Sequence, residues 1–160
     1  MRIIRVVIGD DDRAFREAVS DVLTDDPRFA VVAAVATGAE LRTVASETRP
    51  DVALVDIRMP GGGAAAVRGL IEDARAAAAA RDLARVPIAV IAVSAHSGAH
   101  DVRAVVAAGA SGYLAKGTLG ATLPDLVFRC ASGEVILAVP TGATALTALV
   151  AANEEVDSHH

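Results

Sequence analysis

Short apolar runs alternate along this chain with segments whose apolar positions recur every three to four residues. The runs cover residues 3–8, 30–35, 52–55, 88–93 and 112–115, and most are rich in β-branched side chains, as strands are. Between them lie five helical patterns. Phe15, Ala18, Val19, Val22 and Leu23 share one face of a helix over 13–23, with Asp12 placed to cap it. Leu41, Val44 and Ala45 mark a second helix, closed by Arg49-Pro50. Val67, Leu70, Ile71 and Ala74 open a third, which an alanine-rich stretch extends to about Leu83. Val102, Val105 and Val106 give a fourth, stopped by Gly109. Leu123, Leu126, Val127 and Cys130 form the stripe of the fifth, stopped by Gly133.

Strict alternation of strand and helix predicts an α/β fold with a parallel sheet covered on both faces. Nearly continuous apolar strands fit that burial. The expected architecture is a doubly wound, five-stranded parallel sheet in the flavodoxin-like order 2-1-3-4-5. One domain is expected over residues 1–134, followed at 135–157 by a linker or a C-terminal helical tail whose helix starts near Thr141. Ser158-His159-His160 is set aside as an appended remnant.

Composition narrows the function classes. With 53% hydrophobic residues the chain can bury a core, built from Val, Leu, Ile and Ala because aromatics are only 2%. A net charge of -5 argues against a direct nucleic-acid surface. The single Cys130 excludes an intramolecular disulfide and a cysteine-based zinc site. The N-terminal apolar run ends in three aspartates and leads to no small-residue cleavage site, so it does not read as a signal peptide. The uncharged stretch 135–153 is long enough to span a bilayer, but Pro140, Thr141, Gly142, Thr144 and Thr147 interrupt it and no basic anchor follows. A cytoplasmic location and no membrane insertion are expected.

The polar residues fall at strand ends. The first strand leads into Asp10-Asp11, the third ends in Asp56, the fourth in Ser94 and the fifth in Lys116. Open α/β sheets bind ligands beyond the carboxyl ends of their strands, where the strand order reverses. In the order 2-1-3-4-5 the first and third strands are neighbours there, so Asp10, Asp11 and Asp56 converge. Three such carboxylates repel one another and call for a cation, and an all-oxygen ligand set suits Mg²⁺. A carboxylate beside that ion can attack a phosphoryl group, with Lys116 and the Ser94 hydroxyl on the phosphoryl oxygens. Taken singly, each residue has a purely structural reading: Asp10–Asp12 as a helix cap, Asp56 as a turn residue, Lys116 as a solvated loop lysine. The joint pattern of four strand ends in fixed order is what points to chemistry.

The segments VVIGDDDRAFREAV, PDVALVDIRMPG, IAVIAVSAH and AGASGYLAKG resemble the four signature segments of bacterial response-regulator receiver domains. The closest likeness is to the branch that usually carries a helix-turn-helix output domain. The resemblance covers roughly residues 3–134. It implies a phosphoacceptor switch of a two-component system, with Asp56 modified by a sensor histidine kinase. It implies that Asp11 binds Mg²⁺ directly, Asp10 mostly through water, and that the backbone carbonyl of Arg58 completes the protein ligands. Ser94 and Tyr113 would be the switch pair. Lys116 would contact the phosphoryl group, often across a cis peptide bond to the next residue, here Gly117. The face of the last two helices and the fifth strand is the expected homodimer or output surface. Phe15, Arg16 and Val19 are the expected kinase-docking residues. Arg58 and His96 are expected at the pocket rim, slowing autodephosphorylation. The chain departs from the family pattern at Asp12, at Gly61-Gly62-Gly63 and in a longer third helix. The segment GEVILAVPTGATALTALV looks like a linker to an output domain, and no helix-turn-helix follows it.

Beyond self-phosphorylation and autodephosphorylation no enzyme activity is expected. Two other readings remain at this level. A haloacid-dehalogenase-type phosphatase would need a further acidic pair after Lys116, for which only Asp125 and Glu134 are available. A receiver acting as a phosphorylation-independent interaction module would be expected to lack part of the set Asp10, Asp11, Asp56, Ser94 and Lys116.

Overall fold

The computed structural model describes residues 2–81, 88–95, 99–118 and 120–138. In chain order these form β1 (Ile4–Gly9), α1 (Arg13–Thr24), β2 (Phe29–Val35), α2 (Gly38–Thr48), β3 (Val52–Asp56), α3 (Gly63–Ala80), β4 (Ala89–Ser94), α4 (Ala99–Ala107), β5 (Gly112–Ala115), α5 (Leu123–Ala131) and β6 (Ile136–Ala138). The sheet is parallel, in the order β2-β1-β3-β4-β5-β6.

Alternation along each strand divides the core into two layers. Val6, Ile8, Val52, Leu54, Ile91, Val93 and Leu114 pack with Val19, Leu23, Leu123 and Val127 of α1 and α5. Val7, Ala53, Val55, Val90, Ala92 and Tyr113 pack with Leu41, Val67, Leu70, Val102 and Val105 of α2, α3 and α4. Helices cover both faces, which is why the strands are apolar at nearly every interior position, Arg5 near the start of β1 being the exception.

The order 2-1-3-4-5 holds, and the sheet goes one strand further. β6 pairs with β5, Tyr113 opposite Leu137, and the Ile136 amide donates to the Ser111 carbonyl at 3.1 Å. Residues 136–138 therefore belong to the sheet and not to a linker. An unpaired β5 would present open backbone groups, which the backbone of β6 pairs instead. The expected helix near Thr141 lies outside the described residues. The third helix ends at Ala80 with Arg81 as its cap. The rest of its expected extension to Leu83 is likewise outside them.

Two loops are seated by glycine. A Cβ on Gly38, at the start of α2, would lie 1.9 Å from the Gly61 carbonyl oxygen, and the Gly38 amide donates to Pro60 at 2.8 Å. A Cβ on Gly62 would lie 2.4 Å from the Asp56 carbonyl oxygen. The three-glycine run that departs from the family pattern thus lets the β3–α3 loop fold tightly over the end of β3. Gly38→Ala is expected to lower stability by about 2 kcal/mol in urea unfolding and to shift the amide resonances of residues 57–62. An unchanged midpoint with unchanged resonances would mean that the loop is not seated on α2.

Candidate functional site

The strand ends bring the acidic residues together. Asp10 follows β1, and Asp56 is the last residue of β3. Both are buried, at 1% and 3% exposure, while Asp11 is exposed. One carboxylate oxygen from each of Asp10, Asp11 and Asp56 lies within 4.8 Å of the others, so the trio could hold a metal ion. Ser94 ends β4, is fully buried, and lies one residue beyond the Asp56–Val93 register pair. Lys116 directly follows β5.

Backbone amides orient the two buried carboxylates. Asp10 Oδ1 accepts from the Asp12 amide at 2.8 Å, and Asp56 Oδ1 accepts from the Arg58 amide at 3.0 Å. Each then turns its Oδ2 toward the Lys116 ammonium, at 2.8 Å for Asp10 and 3.6 Å for Asp56. Lys116 is the partner of the buried Asp10 Oδ2, at charge-assisted hydrogen-bond distance. α1 is tied to the same loop. The Asp12 side chain caps it by accepting from Ala14 and Phe15, and the Arg16 guanidinium donates to the Asp10 carbonyl at 2.7 Å. The Phe15 ring lies under Lys116, with the ammonium 4.4 Å from its centroid.

The electrostatics follow from this crowding. Burial pushes the Asp56 carboxyl up to about 6. The Arg58 amide opposes that, Asp10 reinforces it and Lys116 opposes it. Burial pulls the Lys116 ammonium down, but the Asp10 and Asp56 carboxylates outweigh it and hold the pKa above the usual lysine range. Burial likewise raises the Tyr113 phenol, against a hydrogen bond with the Ser94 side chain.

Two expectations are corrected, the cis peptide bond and the docking role of Val19, and Arg58 takes a defined place. Among the described residues no peptide bond is cis, so Lys116–Gly117 is trans and opens a 3-10 turn over Lys116–Thr118. Val19 is core, at 4% exposure, and is not a free docking side chain, while Phe15 is half-buried with the Lys116 ammonium over its ring. The Arg58 side chain is drawn to α4, where its guanidinium pairs with Asp101 at 3.0 Å. His96 lies outside the described residues. The sequence did hold one further signal. Lys116 is the chain's only lysine, and the other fourteen of its fifteen basic residues are arginine. A compact, mobile point charge is used at this position alone.

The raised Asp56 pKa fixes the sign of a stability change. The native pocket holds this proton more tightly than the unfolded chain does. Ionising the group therefore costs stability as pH rises from the ordinary value of 3.8 through about 6. Asp56→Asn is expected to be more stable than the parent by about 2 kcal/mol at neutral pH, the gain vanishing below about pH 4. Thermal or urea melts across that range check it; a variant less stable at neutral pH would contradict it.

The family profile described as response regulator receiver domain matches residues 6–127. The nitrate/nitrite response regulator protein homolog of Haemophilus influenzae is 32% identical over 135 residues, covering 84% of this chain and 60% of that protein. The transcriptional regulatory protein DegU of Brevibacillus brevis is 37% identical over 115 residues, 71% of this chain and 44% of that one. The chain thus spans 60% or less of the length of these relatives. Among solved structures, the signal receiver domain of the response regulator NarL from Mycobacterium tuberculosis superposes with a TM-score of 0.70 at 32% identity, over 84% of this chain and 100% of that one. Motifs, strand order and these likenesses agree: the chain belongs to the response-regulator receiver domain family of two-component systems.

Proposed function

We propose that this domain is a phosphoacceptor switch in which Asp56 takes a phosphoryl group from the phosphohistidine of a sensor histidine kinase. The observation that carries this reading is the paired turning of Asp10 Oδ2 and Asp56 Oδ2 onto one ammonium at a strand-end site. The three carboxylates of Asp10, Asp11 and Asp56, with one oxygen of each within 4.8 Å of the others and a single ammonium to offset them, fit an oxygen-loving divalent cation. Asp10, Asp11, Asp56 and the backbone carbonyl of Arg58 would hold Mg²⁺, which supplies positive charge against the transferring phosphoryl group. In the transfer an Asp56 carboxylate oxygen forms the new bond to phosphorus while the donor's nitrogen–phosphorus bond breaks. Lys116 offsets charge on the phosphoryl oxygens.

The hydrogen bond between Ser94 and Tyr113 is the resting state of the switch. When Ser94 turns to the phosphoryl group, Tyr113 loses that partner and the layer it shares with Val102 and Val105 of α4 repacks. The surface of α4, β5 and α5 is the one that changes and that dimerises or meets an output domain, and β6 is part of it. In a longer protein, a DNA-binding output domain would receive the signal. No helix among the described residues is long and apolar enough to cross a membrane, and a cytoplasmic site of action fits a kinase partner.

Incubation with acetyl phosphate and Mg²⁺ is expected to add one phosphoryl group, seen by intact mass. Asp56→Asn and chelation of Mg²⁺ abolish the addition, and Lys116→Ala slows it by about 100-fold. Absence of modification in the parent protein, with the site assembled, would remove the switch and leave an interaction module. The rim residues set how long the modification lasts. Arg58→Ala and His96→Ala are expected to shorten the phosphoryl lifetime by admitting water, and unchanged lifetimes would exclude a role for these side chains.

A further inference from the structure

The Lys116 ammonium has three close neighbours among the described groups: Asp10 Oδ2, Asp56 Oδ2 and the face of Phe15. Two of these are contested. A carboxylate oxygen that ligates a cation cannot also keep an ammonium at 2.8 Å without bringing two positive charges together. The ring is not contested. It does not titrate, it is no ligand for a hard cation, and its negative face attracts an ammonium most strongly where water is scarce. Water is scarce here. The Lys116 side chain is only 16% exposed, and the two carboxylates it faces are buried.

The ring is also fixed in place. Phe15 lies in the first turn of α1, whose start is pinned by Asp12 accepting from the Ala14 and Phe15 amides and by Arg16 donating to the Asp10 carbonyl. α1 therefore holds the ring in register with the loop that carries Asp10 and Asp11. The chain has three phenylalanines, and the other two flank the Arg28 guanidinium at 5.4 and 5.0 Å. Each ring lies against a cation.

We propose that Phe15 is the positioning residue for Lys116: its ring keeps the ammonium beside Asp56 when the carboxylates are engaged elsewhere. The inference rests on the phosphoacceptor reading of Asp56. Without the ring, a four-carbon stem with free rotamers carries the charge toward solvent, and fewer molecules present it to the incoming phosphoryl group. Phe15→Leu keeps an apolar side chain and removes the π face. Phe15→Tyr and Phe15→Trp keep the face.

The test uses two readouts. Lys116 is the only lysine, so selective lysine labelling gives one set of side-chain resonances. In the parent protein, without Mg²⁺ or phosphodonor, the ε-methylene protons are expected upfield through the ring current. Phe15→Leu moves them to ordinary values, and Phe15→Trp restores the shift. Phosphorylation by acetyl phosphate at fixed Mg²⁺ is then expected to slow about fivefold in Phe15→Leu and to recover in Phe15→Tyr and Phe15→Trp. If Phe15→Leu does not fold, Phe15→Met serves the same arm. Lysine resonances that do not move in Phe15→Leu would overturn the contact. Moved resonances with an unchanged rate would overturn the positioning role. Failure of the parent protein itself to take a phosphoryl group would instead remove the reading of Asp56, and with it any role for the ring in transfer, while the resonances would still report whether the contact exists.

Discussion

One ammonium set against three carboxylates is the constraint on which this site depends. Asp10 and Asp56 are buried to within a few per cent, and only Lys116 among the described side chains brings positive charge between them. The balance is unfavourable by construction, since a single cation cannot neutralise the trio. Asp56 shows the strain as a carboxyl raised to about 6, first by burial and then by its acidic neighbour. A pocket held in this condition favours any change that adds positive charge or removes a negative one. A divalent ion does the first, and protonation of Asp56 does the second.

The fold creates that condition through a few backbone bonds. β1 and β3 are adjacent because the chain reverses its winding between them, so their ends deliver two acidic residues to one place. The amides of Asp12 and Arg58 then lock one oxygen of each carboxylate, leaving the other to face Lys116. The Arg58 loop is held down by close backbone approaches at Gly62 and at Gly38, the latter from α2 on the far side of β1. Packing that looks remote from the site thus sets the direction in which Asp56 points.

Much of this was legible in the sequence, for physical reasons. Strands buried on both faces must be apolar nearly throughout, so their ends stand out where the apolar run stops, and Asp10, Asp56, Ser94 and Lys116 all fall there. Asp12 was legible as a cap because short acidic side chains satisfy the open amides of a first turn. β6 was not, because a three-residue strand inside a long uncharged stretch has too few positions to show a period. The Arg58–Asp101 pair was not, because its members are 43 residues apart and meet only through the placement of α4. Phe15 belongs to an amphipathic stripe, which shows that it faces inward without saying that a lysine waits there. The solitary lysine could have been found by counting alone.

A structure determined with Mg²⁺ and beryllofluoride tests the central claim most directly. The account predicts beryllium bonded to an Asp56 oxygen, the cation on Asp10 and Asp11, and the Lys116 ammonium withdrawn from Asp10 to a fluorine while still over Phe15. A Lys116–Asp10 pair unchanged at 2.8 Å, with no cation among the carboxylates and nothing on Asp56, would contradict it.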